Sequence, residues 1–412
     1  MNKTPESKTN MIILIMLIGF LSAFFWYYLK KVIIYPYTAG ITTPFHNQVN
    51  IFCDYYSIAN TFFLSGFYGS YNYFPGGITL LQILKFVSFG NPYLGAKIIM
   101  LSYFSFLSFF IFKMCKKMPK QIKTLGILAL VFCNYPILST VHTANFEGFV
   151  LIILIFSYLY YLKGDISKTF MLIGVAGAIK IYPLFIFFVY LKKNNFIYAV
   201  KYTSLGFLIA FASPFIVSLI YYPEGNIIDG FNAWANNLLS GQAMEMYKNT
   251  MIIGYNGVFF GHSLLNSIRL LMTPNESFMI SFMTEYYSYI LFLSTFLILM
   301  SCLISLKIKS LIYRYIFILS ALCLFRPTSS DYYLIQFLIP FVALMLCKKN
   351  YIFDMKILIA VCLLFLSKNY YIFYDNNYIT SNTILNTILL LFIYFIIVLN
   401  PRSREEEKVL ND

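Results

Sequence analysis

Apolar runs about as long as a membrane is thick recur along this chain, and lysine clusters punctuate them. A helix crossing the hydrocarbon core needs roughly 20 apolar residues. Runs of this kind cover Met11–Leu29, Pro92–Phe112, Thr124–Val141, Glu147–Leu162 and Phe196–Ile220 in the first half. Tyr286–Leu306, Leu311–Phe325, Tyr332–Leu346, Tyr351–Ser367 and Thr383–Leu399 follow. Only 11% of the residues are charged and 60% are hydrophobic, whereas about 25% are charged in an average soluble domain. So few charges cannot clothe a water-facing surface. The runs therefore predict an all-α polytopic membrane protein with about ten spanning helices. The first run has no small-residue cleavage site and ends in Trp26, Tyr27 and Tyr28, which reads as an uncleaved helix.

The net charge of +14 would suggest a nucleic-acid partner in a soluble protein. In a membrane protein it is first an orientation signal, and no nucleic acid is expected. Clusters at Lys113–Lys123, Lys192/Lys193, Lys307–Arg314, Lys348/Lys349 and Arg402–Lys408, placed in the cytoplasm with Lys3 and Lys8, put both termini inside. The expected organisation is a cytoplasmic stretch 1–10, a single transmembrane domain 11–400 with outer loops 30–91 and 221–285, and a cytoplasmic tail 401–412. Orientation does not account for Lys30, Lys31, Lys85, Lys97, Lys180, Lys248, Arg269, Arg326 and Lys368.

Lys180 is the most informative of these. The apolar segment Thr169–Leu191 has Lys163 and Lys168 before it and Lys192 and Lys193 after it, so a single crossing would strand one pair. Its middle reads Ala178-Ile179-Lys180-Ile181-Tyr182-Pro183. Proline breaks the helical ladder, and a mid-membrane lysine costs roughly 2.5–3.5 kcal/mol on insertion scales. Two half-helices meeting inside the protein, with Lys180 near the tip, satisfy both facts. Broken helices at membrane depth line cavities. The competing reading is a kinked span with Lys180 snorkelling to the interface. In the outer loops, Gly76–Phe89 reads as a surface helix and Met251–Met272 as an interfacial or re-entrant segment.

Candidate chemistry sits with a few polar groups. Asp54 stands among Phe52, Cys53, Tyr55 and Tyr56 in the first outer loop. Glu147 opens a run after Asn145, where a helix N-terminus favours an anion. Arg326 and Asp331 share the turn Phe325–Tyr333, where Asp331 either pairs with Arg326 or caps the next helix. His142 and His262 are isolated, and the seven cysteines form no CxxC or Cys/His cluster, so neither a metal nor another cofactor is expected. A lone carboxylate with cations near membrane depth suits transfer from a lipid-phosphate leaving group. The base takes a proton from an attacking hydroxyl while Lys or Arg neutralises the departing phosphate. The same broken helix with its lysine also fits a transporter or flippase of lipid-linked sugars, and large outer loops fit an O-antigen polymerase or ligase.

At these residues the chain resembles glycosyltransferase family 87 of the GT-C superfamily, membrane enzymes that use polyprenyl-phosphate sugars. The resemblance rests on Asp54-Tyr55-Tyr56 followed by Tyr73-Phe74-Pro75, then Asn145-x-Glu147-Gly148. Gly174-x-x-x-Ala178-Ile179-Lys180-Ile181-Tyr182-Pro183-Leu184 follows, and Arg326-Pro327-Thr328-Ser329-Ser330-Asp331-Tyr332-Tyr333 before Leu338-Ile339-Pro340 closes the series. Where family members often carry Ser-Trp-x-His, this chain has Ser329-Ser330-Asp331-Tyr332-Tyr333. The resemblance implies a GT-C-like fold with a re-entrant pair of half-helices and outer-face loop helices. It implies an inverting transfer of a hexosyl (mannosyl among them) or pentosyl unit on the outer face of a bacterial inner membrane. The acceptor would be a lipid-linked glycan or envelope polysaccharide. Asp54 would be the base and Lys180 would lie at the donor phosphate with Arg269 or Arg326. Glu147 and Asp331 would line the substrate site, with Tyr55, Tyr73 and Trp234 stacking on sugar faces.

Overall fold

The computed structural model describes residues 5–29, 55, 75–116, 118–221, 232, 261–271, 276–327, 329, 331–347, 352–366, 371–374 and 377–399. Helix α1 is Pro5–Leu29, α2 is Pro75–Val87, α3 is Pro92–Met114, and α4 is Lys120–Ile127, continued by a π-turn at Leu128–Phe132. Then come α5 (Tyr135–Thr143), α6 (Glu147–Leu162), α7 (Ile166–Ile179), a 3-10 turn Tyr182–Ile186, α8 (Phe187–Tyr190) and α9 (Phe196–Tyr221). The remaining helices are α10 (Leu264–Leu271), α11 (Glu276–Glu285), α12 (Tyr287–Ser305), α13 (Leu311–Phe325), α14 (Leu338–Leu346) and α15 (Ile352–Leu364). A 3-10 stretch, Asp331–Phe337, leads into α14. An antiparallel hairpin, β1 (Tyr371–Tyr374) with β2 (Asn377–Thr380), precedes α16 (Ser381–Leu399) and pairs Tyr371 with Thr380. That hairpin and a bridge at Gly261 qualify the all-α expectation.

Four helical stretches are long and apolar enough to cross a membrane: Glu6–Phe25, Pro92–Met114, Phe196–Val217 and Tyr287–Ser305. Lys120–Phe132 with Tyr135–Thr143, bent by 54°, makes a fifth if it is one span. The sequence reading took Thr124–Val141 as one apolar run, and the structure bends it. Pro136 has no N–H to continue the ladder, and the Tyr135 amide donates instead to the Phe365 carbonyl at 2.9 Å. The protein is thus a helical membrane protein with four or five spans by length among the described residues. Other apolar helices, α6, α7 and α13 among them, are shorter than 18 residues.

The chain divides into two compact units. One comprises Met1–Ile51, Phe106–His142 and Thr250–Asp412. Its core helix is α13, buried on every face from Leu311 to Leu324 except at Arg314, as an all-round apolar helix must be. Lys8, counted above among the inward-facing charges, is buried here, and its ammonium donates to the Cys347 carbonyl at 3.2 Å. Cys347 caps the C-terminus of α14, where carbonyls converge and a cation is favoured.

The other unit comprises Phe52–Ser105 and Thr143–Asn249. Helices α6 and α7 form an antiparallel hairpin in it. Gly164 takes the left-handed conformation after α6 (φ 77°), which only glycine enters freely. Asp165 then caps α7, accepting from the Lys168 amide at 3.2 Å and the Ser167 hydroxyl at 2.8 Å. The Lys168 ammonium beside it, with those amide and hydroxyl donors, holds the Asp165 carboxyl down at about 2. The cap is therefore ionised above that range and lost only as pH falls through it. Ser157 ties the helices together by donating to the Thr169 carbonyl at 3.0 Å.

Helix α9 crosses α7 at backbone contact. A Cβ on Gly174 would stand 2.0 Å from the Thr203 carbonyl oxygen, and one on Gly206 would stand 2.0 Å from that of Met171. Small residues permit such approach between apolar helices. Within α9, Pro214 cannot donate to Ala210, and the Ser213 hydroxyl does so at 2.8 Å. Helix α2, read from sequence as a surface helix, is packed here. Ile78, Leu81 and Leu84 are buried, Thr79 meets Ser213 at 2.6 Å and Gln82 donates to the Pro214 carbonyl at 3.2 Å.

Gly174→Ala should lower stability by about 1–3 kcal/mol, because the added methyl meets backbone that cannot yield. Gly126→Ala, where a Cβ would meet nothing within 4 Å, should be neutral or slightly stabilising. Denaturation midpoints of the two variants in detergent measure the contrast.

Candidate functional site

The hairpin brings together two residues 33 positions apart. Helix α6 has 16 residues and α7 has 14, so they rise about 24 and 21 Å. A tight turn joins them, and the start of α6 therefore lies level with the end of α7. Glu147 is the first residue of α6, and Lys180 caps α7. Helix α7 ends at Ile179 for a local reason. Pro183 is four residues on, and its ring excludes the Ile179 carbonyl while offering it no N–H. Lys180 then becomes extended (φ −143°, ψ 137°) and the chain resumes as the 3-10 turn at Tyr182. The expected break at Lys180 is present, and the snorkelling alternative is not what the side chain does.

The Lys180 ammonium donates to Glu147 Oε2 at 2.8 Å and to Asn145 Oδ1 at 2.9 Å. The Tyr182 hydroxyl donates to Glu147 Oε1. The Glu147 side chain is 0% exposed and that of Lys180 is 16% exposed. Asn145 Oδ1 also accepts from the Glu147 amide at 3.0 Å, while the Asn145 carbonyl accepts from the Tyr103 hydroxyl at 2.8 Å. Gly148 is explained by that tyrosine: a Cβ there would lie 2.3 Å from the Tyr103 ring. The segment is entered through Ala144 in the left-handed region (φ 51°), a conformation that costs a non-glycine residue about 1–3 kcal/mol and collects at functional sites. Sequence reasoning took Glu147 for an anion favoured by a helix start. It is also the buried counter-ion of Lys180.

The first turn of α2 joins the cluster. A Cβ on Gly76 would stand 2.8 Å from the Ala178 carbonyl oxygen, so only glycine lets the helix start so close to the end of α7. Tyr55, read as a sugar platform, is 1% exposed. A Cβ on Gly95 would meet its hydroxyl at 2.1 Å, which makes it an enclosed packing residue here. Asp54, Tyr73 and Trp234 lie outside the described residues.

The other sequence-predicted cations are in the unit built on α13. The Arg326 guanidinium lies 4.2 Å from the centre of the Tyr333 ring and donates to its hydroxyl at 3.1 Å. Asp331 opens the 3-10 stretch, and its side chain lies outside the described residues. Arg269 is buried on α10. The same unit holds a residue that sequence reading set aside as isolated. The buried His262 amide donates to the Ser329 carbonyl at 2.7 Å, and its Nε2 lies 3.1 Å from the Ser329 hydroxyl. Ser263 donates to the Pro327 carbonyl at 3.2 Å, and Thr387 donates to the His262 carbonyl at 2.7 Å. The late motif is thus stitched to the two residues that lead into α10, and α16 holds His262 in turn, a pairing across 67 residues that no local pattern signals.

Three of the quoted motif segments therefore meet at the end of α7: the α2 start at Pro75, Asn145–Gly148, and Gly174–Pro183. The arrangement belongs to a helical membrane protein with a buried, polar, charged centre. A family model for glycosyltransferase family 87 matches residues 71–327, which is more than half of the chain and includes this centre. The chain belongs to glycosyltransferase family 87 and is a membrane glycosyltransferase. No curated protein and no solved structure matches it.

Removing one partner of a buried ion pair leaves an uncompensated charge. Glu147→Ala should therefore cost about 3–5 kcal/mol. Lys180→Ala added to it should restore part of that loss, giving a clear coupling energy in a double-mutant cycle. Additive losses would remove the pair from the account of stability.

Proposed function

We propose that this protein is an inverting glycosyltransferase that takes a hexosyl or pentosyl unit from a polyprenyl-phosphate sugar. The acceptor is a lipid-linked glycan or envelope polysaccharide. The reaction takes place on the outer face of a bacterial inner membrane, within a single membrane domain of about ten crossings. What carries the reading is the convergence on Lys180. A part-buried ammonium, the N-terminal turn of α2 and a helix break lie near the end of α7, and helix N-termini and cations both favour phosphate.

Asp54 accepts the proton of the acceptor hydroxyl, whose oxygen attacks the anomeric carbon from the face opposite the phosphate. The anomeric C–O bond to phosphate breaks, and polyprenyl phosphate leaves with the electron pair. Lys180 receives the growing charge on that phosphate, and Arg269, Arg326 and Asp331 are substrate-binding candidates from the sequence. Tyr73 and Trp234 stack on sugar faces. Tyr55 anchors the chain next to Asp54 by its contact with Gly95. A flippase or transporter moves the same lipids without making a product. A polymerase or ligase built on arginine and histidine would not depend on Asp54.

A general base contributes about 10²–10⁴-fold. Asp54→Asn should lower transfer by at least about 100-fold while the purified protein still binds donor and keeps its thermal midpoint. Release of free polyprenyl phosphate from donor and acceptor in detergent is the measurement. Near wild-type turnover in Asp54→Asn would remove it as the base, and no release by the wild type would remove the reaction.

A further inference from the structure

A site that needed only to hold an anion would gather cations or neutral donors around it. Here the ammonium assigned to the phosphate is already bound to a carboxylate. Glu147 is fully buried at the first turn of α6, where the helix dipole favours an anion. Its Oε2 lies 2.8 Å from Lys180 Nζ and its Oε1 takes the Tyr182 hydroxyl. Asn145 and Tyr182 are neutral, so the cluster as a whole has no net charge. Burying a carboxylate is costly, and one so placed opposes any anion that comes to Lys180. The exposure is also asymmetric, with the lysine side chain partly open and the carboxylate closed off. An incoming phosphate meets the ammonium, with the carboxylate held immediately behind it.

We propose that Glu147 is a specificity-determining residue that makes the Lys180 site prefer a phosphodiester over a phosphomonoester. This rests on the reading that Lys180 meets the donor phosphate. The donor is a diester with one negative charge. When the anomeric C–O bond breaks, the leaving group keeps the electron pair and the acceptor proton goes to Asp54. The lipid product is then a monoester with a second ionisation near pH 6, so at neutral pH it carries close to one more negative charge than the donor. Two opposite charges in a low-dielectric site cancel toward a distant observer, but a third charge feels each one separately. Attraction to Lys180 and repulsion from Glu147 both scale with the ligand's charge, so Glu147 offsets most of what a second negative charge would gain, and the cost of taking that charge out of water decides against the monoester. The donor is admitted and the spent lipid phosphate is expelled. The same carboxylate disfavours diphosphate lipids as donors.

The test is direct binding to the purified full-length protein at neutral pH, with a short-chain prenyl phosphate as monoester and its methyl ester as diester. The wild type should bind the diester at least as tightly as the monoester, against the order that simple charge attraction gives. A wild type that binds the monoester tenfold more tightly overturns the proposal without any variant. In Glu147→Gln, monoester affinity should rise tenfold or more relative to diester affinity, and polyprenyl phosphate should become a correspondingly stronger product inhibitor. An unchanged affinity ratio in a folded Glu147→Gln overturns it as well. If that variant does not fold, the wild-type ratio still decides. Transfer activity in a wild type that binds the monoester tenfold more tightly would sink the role of Glu147 alone. Loss of the donor reading itself would show as no binding of either lipid.

Discussion

A carboxylate and an ammonium taken out of water must find each other in good geometry, and the smaller unit is arranged around that requirement. Glu147 and Lys180 meet because α6 and α7 are nearly equal in length and joined by a turn in which Gly164 alone supplies the left-handed residue. Pro183 ends α7 one residue before the lysine, which turns its side chain off the helix. Gly174 and Gly206 let α9 lock against the hairpin at backbone distance. Gly76 and Gly148 make room for the α2 start and the Tyr103 ring. Gly174, Gly206, Gly76 and Gly148 each sit where a methyl group would meet a neighbouring element that holds the pair.

The unit built on α13 solves a related problem with neutral groups. Many of its buried polar side chains are matched to backbone carbonyls and hydroxyls. His262, Ser263 and Thr387 bind the late motif to two helices distant in sequence. Tyr313 donates to Asp354. Lys8 reaches the end of α14. A buried lysine at the start of the chain shows why charge counting along a membrane sequence is an average rule. Its charge is bound to a helix end and gives no independent vote on orientation.

Much of the helical framework was legible from hydropathy. The runs at Leu311–Phe325 and Glu147–Leu162 are helices with those same ends, because apolar length and flanking polar residues are local properties. The break at Lys180 was legible because proline and lysine in an apolar segment violate local rules for chemical reasons. The bend inside Thr124–Val141 was not read, although Pro136 stood in view; a kink depends on whether a neighbour such as Phe365 can take up the displaced amide. Helix α2 was misread as superficial because the partners of its apolar face are on α7 and α9. His262 carried no signal at all, since its partner is in a turn far along the chain.

The sequence alone determined the class of the protein: a chain with this little charge and this much apolar length folds as membrane helices, and its ordered motifs point to a sugar-transferring family. It also singled out Lys180, since a cation in apolar surroundings is costly wherever it lies. Only the tertiary structure decided what that cation is bound to. Pairing with Glu147 follows from the length and turn of a hairpin and from close helix crossing. Those are relations between segments, and residue composition does not contain them.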